Sequence, residues 1–154
     1  MSDISGINAL NLQRWFDDHT EGVMGDLSFA PVAGGHSNLT YIVTDESSQK
    51  WVLRRPPLGH VLATAHDMSR EHKIISALSG SGVPVPGVVG LCEDIEINDA
   101  PFYVMDFVPG VILRTRPEAE DLPVEVRKKM GHSLVKTLAG IHDVDVEAVG
   151  LGDL

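Results

Sequence analysis

With 154 residues, of which 43% are hydrophobic and 22% are charged, the chain has the composition of one folded domain with a trailing segment, not of a disordered protein. A net charge of −10 with only 12 Lys and Arg residues excludes a general nucleic-acid-binding function, because a phosphate backbone is held by clustered cations. The single cysteine, Cys92, excludes an internal disulfide, and neither a secretory signal nor an apolar run of ~20 residues is present, which together predict a cytoplasmic protein.

The first half of the chain is predicted to form a helix followed by an antiparallel meander. Apolar residues recur at helical spacing over residues 7–16, which indicates an amphipathic helix. The period changes to that of strands over residues 27–33, 39–44 and 50–54. A glycine pair follows the first strand and the polar turn 45–49 follows the second, so we expect the three strands to pair antiparallel.

The next part of the chain is expected to add a second helix and two more strands. Asp67 or Ser69 can cap a helix that ends at a Gly-Ser-Gly turn. The apolar segments 88–92 and 102–108 are typical of strands. A polar, Pro-containing linker at 114–122 then precedes a helix that Pro123 opens.

These elements predict an α+β fold with a five-stranded antiparallel sheet. We divide the chain into a lead-in helix at 1–26, the sheet-bearing lobe at 27–110, and a linker with a trailing helix at 111–154. The trailing helix carries an apolar stripe at i, i+4 spacing, and little of this chain remains to cover it. The stripe consists of Met130, Leu134, Leu138 and Ile141.

A glycine-containing turn between the first two strands is the first candidate binding element. It consists of Gly34, Gly35, His36, Ser37 and Asn38. Glycines let backbone N–H groups approach a phosphate without obstruction by a Cβ atom. The turn matches neither GxxxxGK[ST] nor GxGxxG, and a glycine pair in a hairpin is also compatible with a simple turn.

Arg54 and Glu71 form the second candidate element. Arg54 lies on the third strand and Glu71 lies about one turn into the following helix, where a carboxylate can hold the strand cation over phosphates. Two unconnected surface charges are the alternative. Arg55 is an alternative cation, because neighbouring strand residues point to opposite faces.

The third candidate element is the end of the last strand, where the chain runs into a Pro-Gly turn. Met105, Asp106 and Val108 lie in this segment. Such a segment can offer backbone C=O and N–H groups to an adenine edge while apolar side chains pack on the ring. An ordinary core strand that enters a loop is the alternative.

In their order along the chain, the segments GGHSNLTYIV, WVLRRPP, SREHKIISAL, VPVPGVVGLCED and PFYVMDFVPG resemble the aminoglycoside phosphotransferase family of the protein-kinase-like superfamily. The resemblance runs from about Leu27 to Leu154. It is strongest to the branch whose members occur alone in bacteria or fused to acyl-CoA dehydrogenases.

The resemblance implies the N-terminal lobe of a kinase-like fold, which binds ATP with magnesium, and transfer of the γ-phosphoryl group to a hydroxyl of a small molecule. It implies that the glycine-containing turn covers the phosphates, with His36 and Ser37 at its tip, and that Arg54 is the strand cation with Glu71 as its partner. It also implies that Asp106 and Val108 face adenine through their backbone as hinge residues.

One departure concerns catalysis. Members of the family carry downstream an HGD-type loop, an Asn and a further Asp that holds magnesium, and this sequence contains no equivalent segment. His142 and Asp143 look similar but lie at the predicted end of the trailing helix. We therefore expect no catalytic residue and no metal ligand in this chain, and we expect a truncated lobe that is inactive alone.

Two other functions are compatible with the sequence. A stand-alone nucleotide-binding or protein-interaction module would retain the lobe without catalysis. The apolar stripe predicts a homodimer both for this module and for the truncated phosphotransferase lobe. An unrelated α+β protein with a simple hairpin is the weaker alternative. The acceptor stays open among aminoglycosides, other amino sugars, choline-like alcohols and hydroxyacyl thioesters, with a metabolic hydroxyl favoured by analogy.

Overall fold

The computed structural model of the chain describes residues 4–33, 37–59 and 66–154. The chain divides into two compact units. The first unit contains the residues up to Ser76 together with Pro86–Phe107, and the second contains Ala77–Val85 together with Val108–Leu154. The sheet and the candidate site lie in the first unit.

A five-stranded sheet forms the centre of the first unit. Its strands are β1 (Ser28–Pro31), β2 (Leu39–Thr44), β3 (Lys50–Arg55), β4 (Val88–Cys92) and β5 (Phe102–Asp106). They are ordered β1-β2-β3-β5-β4, and each neighbouring pair is antiparallel. The predicted α+β fold with an antiparallel five-stranded sheet is therefore confirmed.

Five helices are present in the described part of the chain. They are α1 (Ala9–His19), α2 (Met68–Leu78), α3 (Ile95–Asn98), α4 (Arg116–Glu120) and α5 (Val124–His142). The sequence predicted α1, α2 and α5 but not the two short helices. No helix among these residues is both long enough and apolar enough to cross a membrane.

The interior of the first unit lies between α1 and one face of the sheet. In β2 and β3, buried residues on this face alternate with half-buried residues on the opposite face, as pleating predicts. The opposite face is partly accessible at β2 and β3, whereas Tyr103 of β5 is buried there as well. The buried cluster includes Leu12, Trp15 and Phe16 of α1 with Tyr41, Val43, Trp51, Leu53, Phe102 and Val104 of the sheet.

The turn between β2 and β3 is organised by Asp45. Its carboxylate accepts hydrogen bonds from the amides of Gln49 at 2.8 Å and Met24 at 3.0 Å and from the Ser47 hydroxyl at 2.8 Å. Burial acts to raise the pKa of Asp45, but these hydrogen bonds outweigh it and lower the pKa. The turn fixes the register of β2 against β3, which decides which residues lie beside Arg54.

The predicted linker at 114–122 contains the helix α4, which corrects that expectation. Glu118 and Thr115 form a capping box, and the Glu118 carboxylate accepts the amides of Arg114 at 2.6 Å and Thr115 at 3.1 Å. These backbone hydrogen bonds lower the pKa of Glu118. Pro117 lies in the first turn, where a missing N–H costs nothing, so the proline is compatible with a helix that starts at Arg116.

Candidate functional site

Three side chains form a polar row across the half-exposed face of the sheet. Thr40 pairs with Arg54 in the β2–β3 ladder, and Arg54 pairs with Tyr103 in the β3–β5 ladder. Directly opposed residues point to the same face of a sheet. Arg54 Nη1 lies 3.4 Å from Thr40 Oγ1 and donates to it. We call Thr40, Arg54 and Tyr103 the polar row.

Glu71 reaches the polar row from α2. The Asp67 carboxylate accepts the Arg70 amide at 3.0 Å and caps the start of α2, which places Glu71 one turn into the helix. Glu71 Oε2 accepts Arg54 Nε at 2.7 Å and the Tyr103 hydroxyl at 3.1 Å. About a third of each charged side chain is exposed, 32% for Arg54 and 29% for Glu71. The pair is therefore fixed by the fold and still accessible.

Tyr103 serves as a neutral donor in this arrangement. Its side chain is 2% exposed. Burial raises the pKa of Tyr103 strongly, and the negative charge of Glu71 raises it further. The hydroxyl therefore stays protonated and donates a hydrogen bond to Glu71. The aromatic ring packs edge-on against His72.

An apolar row lies beside the polar row on the same face. Ile42 pairs with Val52, and Val52 pairs with Met105, two positions along each strand from the polar row. All three side chains are half-buried. We call Ile42, Val52 and Met105 the apolar row.

The two rows place a cation and a flat apolar surface side by side. Glu71 and Thr40 engage two of the five N–H donors of Arg54, and the guanidinium remains partly exposed for an anion such as a phosphate. A flat heteroaromatic ring can pack on the apolar row. Both parts of the ligand would therefore lie on one sheet face.

The structure separates the two neighbouring arginines. Arg54 lies on the half-exposed face with Glu71, whereas Arg55 is 4% exposed. The Arg55 guanidinium donates to the carbonyls of Gly6 and Asn98, and burial lowers its pKa. Arg55 therefore ties the N-terminal segment to the sheet.

The glycine-containing turn is described only at its end. Gly34, Gly35 and His36 lie outside the described residues. Ser37 is exposed. Asn38 is 5% exposed, and its Nδ2 donates to Glu71 Oε1 at 2.7 Å. The Asn38 side chain therefore contacts the partner of Arg54 directly.

The candidate hinge residues differ in their surroundings. Met105 belongs to the apolar row. β5 ends at Asp106, two residues earlier than the sequence predicted, and the Asp106 amide donates to the Gly87 carbonyl at 2.8 Å. This amide is thereby engaged within the sheet. Val108 lies in the second unit and is 66% exposed.

The two residues that resembled a catalytic loop lie at the C-terminal end of α5. His142 is the last residue of α5 and Asp143 caps its C-terminus. Among residues 4–33, 37–59 and 66–154, no group of three His, Cys, Asp or Glu side chains is arranged to hold a metal ion. The magnesium ion that the family resemblance implies therefore lacks a protein ligand set in this described part.

Sequence reasoning missed three residues that contact the candidate site. Thr40 could have been found by counting back from the β2–β3 turn, because a tight turn sets the register. Tyr103 depends on β5 pairing with β3, which no local pattern indicates. His66, which contacts Asn38, lies in a segment without periodicity.

An antiparallel sheet whose strand cation is held by a helix glutamate is a feature of kinase-like phosphotransferases. The chain belongs to the phosphotransferase enzyme family, whose sequence profile matches residues 28–154. The family assignment made from the sequence is confirmed.

Similar proteins place this chain within larger molecules. It is 36% identical over 144 residues to acyl-CoA dehydrogenase family member 10 of Mus musculus, covering 90% of this chain and 13% of that protein. It is 35% identical over 145 residues to acyl-CoA dehydrogenase family member 11 of Rattus norvegicus, covering 92% of this chain and 18% of that protein. The chain thus spans less than a fifth of the length of these curated relatives.

A solved structure supports the fold. The crystal structure of a putative aminoglycoside phosphotransferase from Ralstonia eutropha superposes with a TM-score of 0.75 at 31% identity. The match covers 94% of this chain and 40% of the other. The kinase-like fold is confirmed, and more than half of that neighbour has no counterpart in these residues.

Proposed function

We propose that this chain is the ATP-binding lobe of a phosphotransferase that moves the γ-phosphoryl group of ATP to a hydroxyl of a small molecule. One observation carries the proposal: the Arg54–Glu71 ion pair at 2.7 Å lies beside the apolar row on a single accessible sheet face. A cation next to a flat apolar surface suits a ligand with a phosphate chain and an aromatic base.

Each part of the nucleotide has a proposed contact. Arg54 binds phosphate oxygens, and Glu71 and Thr40 hold its guanidinium in one orientation. The base packs on the apolar row. The Asp106 carbonyl is the proposed contact of the adenine edge, because the Asp106 amide is already bonded to Gly87. The glycine-containing turn remains a sequence-based candidate for a phosphate contact, and only its last two residues, Ser37 and Asn38, are described.

The chemical step requires residues beyond these 154. Phosphoryl transfer depends on positioning and on metal ions that neutralise the developing charge. The chain matches only 40% of the solved neighbour, and among the described residues no group of three His, Cys, Asp or Glu side chains is arranged to hold a metal ion. We therefore propose that the catalytic base and the magnesium ligands belong to the remaining lobe, and that the 154-residue chain alone transfers no phosphoryl group.

The proposed acceptor is a metabolic small molecule that carries a hydroxyl. Relatives named as acyl-CoA dehydrogenase family members support a metabolic compound, for which a hydroxyacyl thioester is the candidate. The name of the Ralstonia neighbour supports an amino sugar instead.

Titration with ATP and magnesium tests the binding function. Calorimetry should show saturable binding that ADP competes for, with no release or transfer of phosphate. Val52→Glu should weaken binding at least about tenfold, because it buries a carboxylate in the proposed base site. Val135→Glu is the matched control and should bind normally, because Val135 on α5 is 67% exposed. Binding that ignores Val52→Glu would contradict this placement of the nucleotide.

The exposed face of α5 supports a second proposal, self-association. Met130, Leu134, Leu138 and Ile141 lie on one face of the helix and are 42–71% exposed. Apolar surface of this kind favours burial against another copy. Sedimentation velocity should show a concentration-dependent dimer that Leu134→Lys reduces, whereas a monomer at every concentration would exclude it.

A further inference from the structure

A chain of hydrogen bonds leads away from the Arg54–Glu71 pair. Asn38 Nδ2 donates to Glu71 Oε1 at 2.7 Å, the carboxylate oxygen that Arg54 does not use. His66 Nδ1 lies 2.7 Å from Asn38 Oδ1. Asn38 is 5% exposed, so water competes little for these bonds.

The chemistry of the three groups fixes the direction of each bond. An ionised carboxylate only accepts hydrogen bonds, so the NH₂ end of Asn38 must face Glu71. The carbonyl end of Asn38 then faces His66, and it also only accepts. His66 must therefore carry a hydrogen on Nδ1 and donate it to Asn38.

This arrangement restrains the one torsion that the ion pair leaves loose. The terminal torsion of a glutamate side chain is broad, so a carboxylate held at one oxygen can still turn. Arg54 and Tyr103 both hold Oε2 of Glu71, and Asn38 holds Oε1. With both oxygens held, the carboxylate plane is fixed with Oε2 toward Arg54.

We propose that Asn38 and His66 are positioning residues for Arg54. His66 orients the Asn38 amide, Asn38 fixes the Glu71 carboxylate, and Glu71 holds the guanidinium for the phosphates. Asn38 precedes β2 directly, so its bond to Glu71 links the start of β2 to α2. The proposal rests on the nucleotide-binding function proposed above.

The tautomer of His66 tests the arrangement without any nucleotide. Nitrogen-15 NMR of the ring, recorded at a pH at which its own titration shows it to be neutral, should report the hydrogen on Nδ1. Asn38→Leu should abolish that preference. A neutral ring with its hydrogen on Nε2 would overturn the proposal.

Nucleotide affinity tests the consequence for Arg54. Asn38→Leu should weaken binding of ATP with magnesium about tenfold, the scale of losing one hydrogen bond to a charged group, and His66→Leu should weaken it about fivefold, the scale of losing a neutral one. His66→Asn should restore most of the affinity, because its side-chain NH₂ replaces Nδ1–H. His66→Gln places its amide farther out and should not restore it. His132→Leu, at an exposed position on α5, is the matched control.

A double substitution separates positioning from a general loss of stability. If His66 acts only through Asn38, His66→Leu should have no further effect on affinity in the Asn38→Leu background. Equal affinity of His66→Asn and His66→Gln, or additive losses in the double variant, would overturn the proposal. Absence of nucleotide binding by the unaltered protein would instead refute the proposed function. The NMR measurement of the His66 tautomer would then still show whether the hydrogen-bond chain from His66 to Glu71 exists.

Discussion

Replacing Arg54 by alanine should weaken binding of ATP with magnesium about 100-fold. Charge-assisted hydrogen bonds to a phosphate contribute about 1.5–3 kcal/mol, and each 1.4 kcal/mol corresponds to about tenfold in affinity. Stability should change by about 1 kcal/mol or less, because the Arg54–Glu71 pair is about one-third exposed. Calorimetric titration measures the first quantity and a thermal melt measures the second.

Two variants sharpen this result. Arg54→Lys keeps the charge but loses the planar fork, so its affinity should lie between those of the unaltered protein and Arg54→Ala. Arg116→Ala removes a cation whose pair with Glu120 lies on the surface of α4, and it should leave binding unchanged. Equal losses in Arg54→Ala and Arg116→Ala would indicate a general charge effect and contradict a phosphate contact at Arg54.

Replacing the neighbouring Arg55 by alanine should lower the stability of the protein and leave nucleotide affinity unchanged. The buried guanidinium donates to the carbonyls of Gly6, Asn98 and Pro56, and a buried acceptor left without a partner costs about 1–3 kcal/mol. With these carbonyls affected, we expect the free energy of unfolding to fall by about 3 kcal/mol. A melting temperature lower by about 6–12 °C would correspond to this loss.

The folded fraction of Arg55→Ala should bind nucleotide normally, because Arg55 points to the face that α1 covers. Binding measured well below the melting temperature checks this expectation. An Arg55→Ala protein with an unchanged melting temperature would mean that the N-terminal segment is not held by this side chain. The two adjacent arginines thus serve as controls for each other.

The choice between Arg54 and Arg55 was open from the sequence, although a signal existed. Arg55 shares its strand face with the bulky apolar residues Trp51 and Leu53, which mark the face that α1 buries. Val52, on the other face beside Arg54, is also apolar and made the pattern ambiguous. Only the packing of α1 on the sheet decides which face is buried.

Local features could be predicted and long-range pairings could not. The β2–β3 hairpin followed from its polar turn, and α5 followed from its periodicity after Pro123. The helix α4 was missed because Pro117 indicated a linker, although proline is tolerated in a first helical turn. The contacts of Tyr103 and His66 depend on chain segments tens of residues apart, and sequence spacing carries no information on them.

The position of β5 between β3 and β4 has a consequence for how the protein folds during synthesis. The meander of β1, β2 and β3 leaves the ribosome well before β5, because synthesis starts at the N-terminus and β5 comes much later in the sequence. Until residues 102–106 arrive, the outer edge of β3 has unpaired backbone groups and is open to pairing with another chain. The strand that carries Arg54 is therefore open to misassembly in the nascent lobe, and a chaperone that shields this edge would protect the Arg54–Glu71 site.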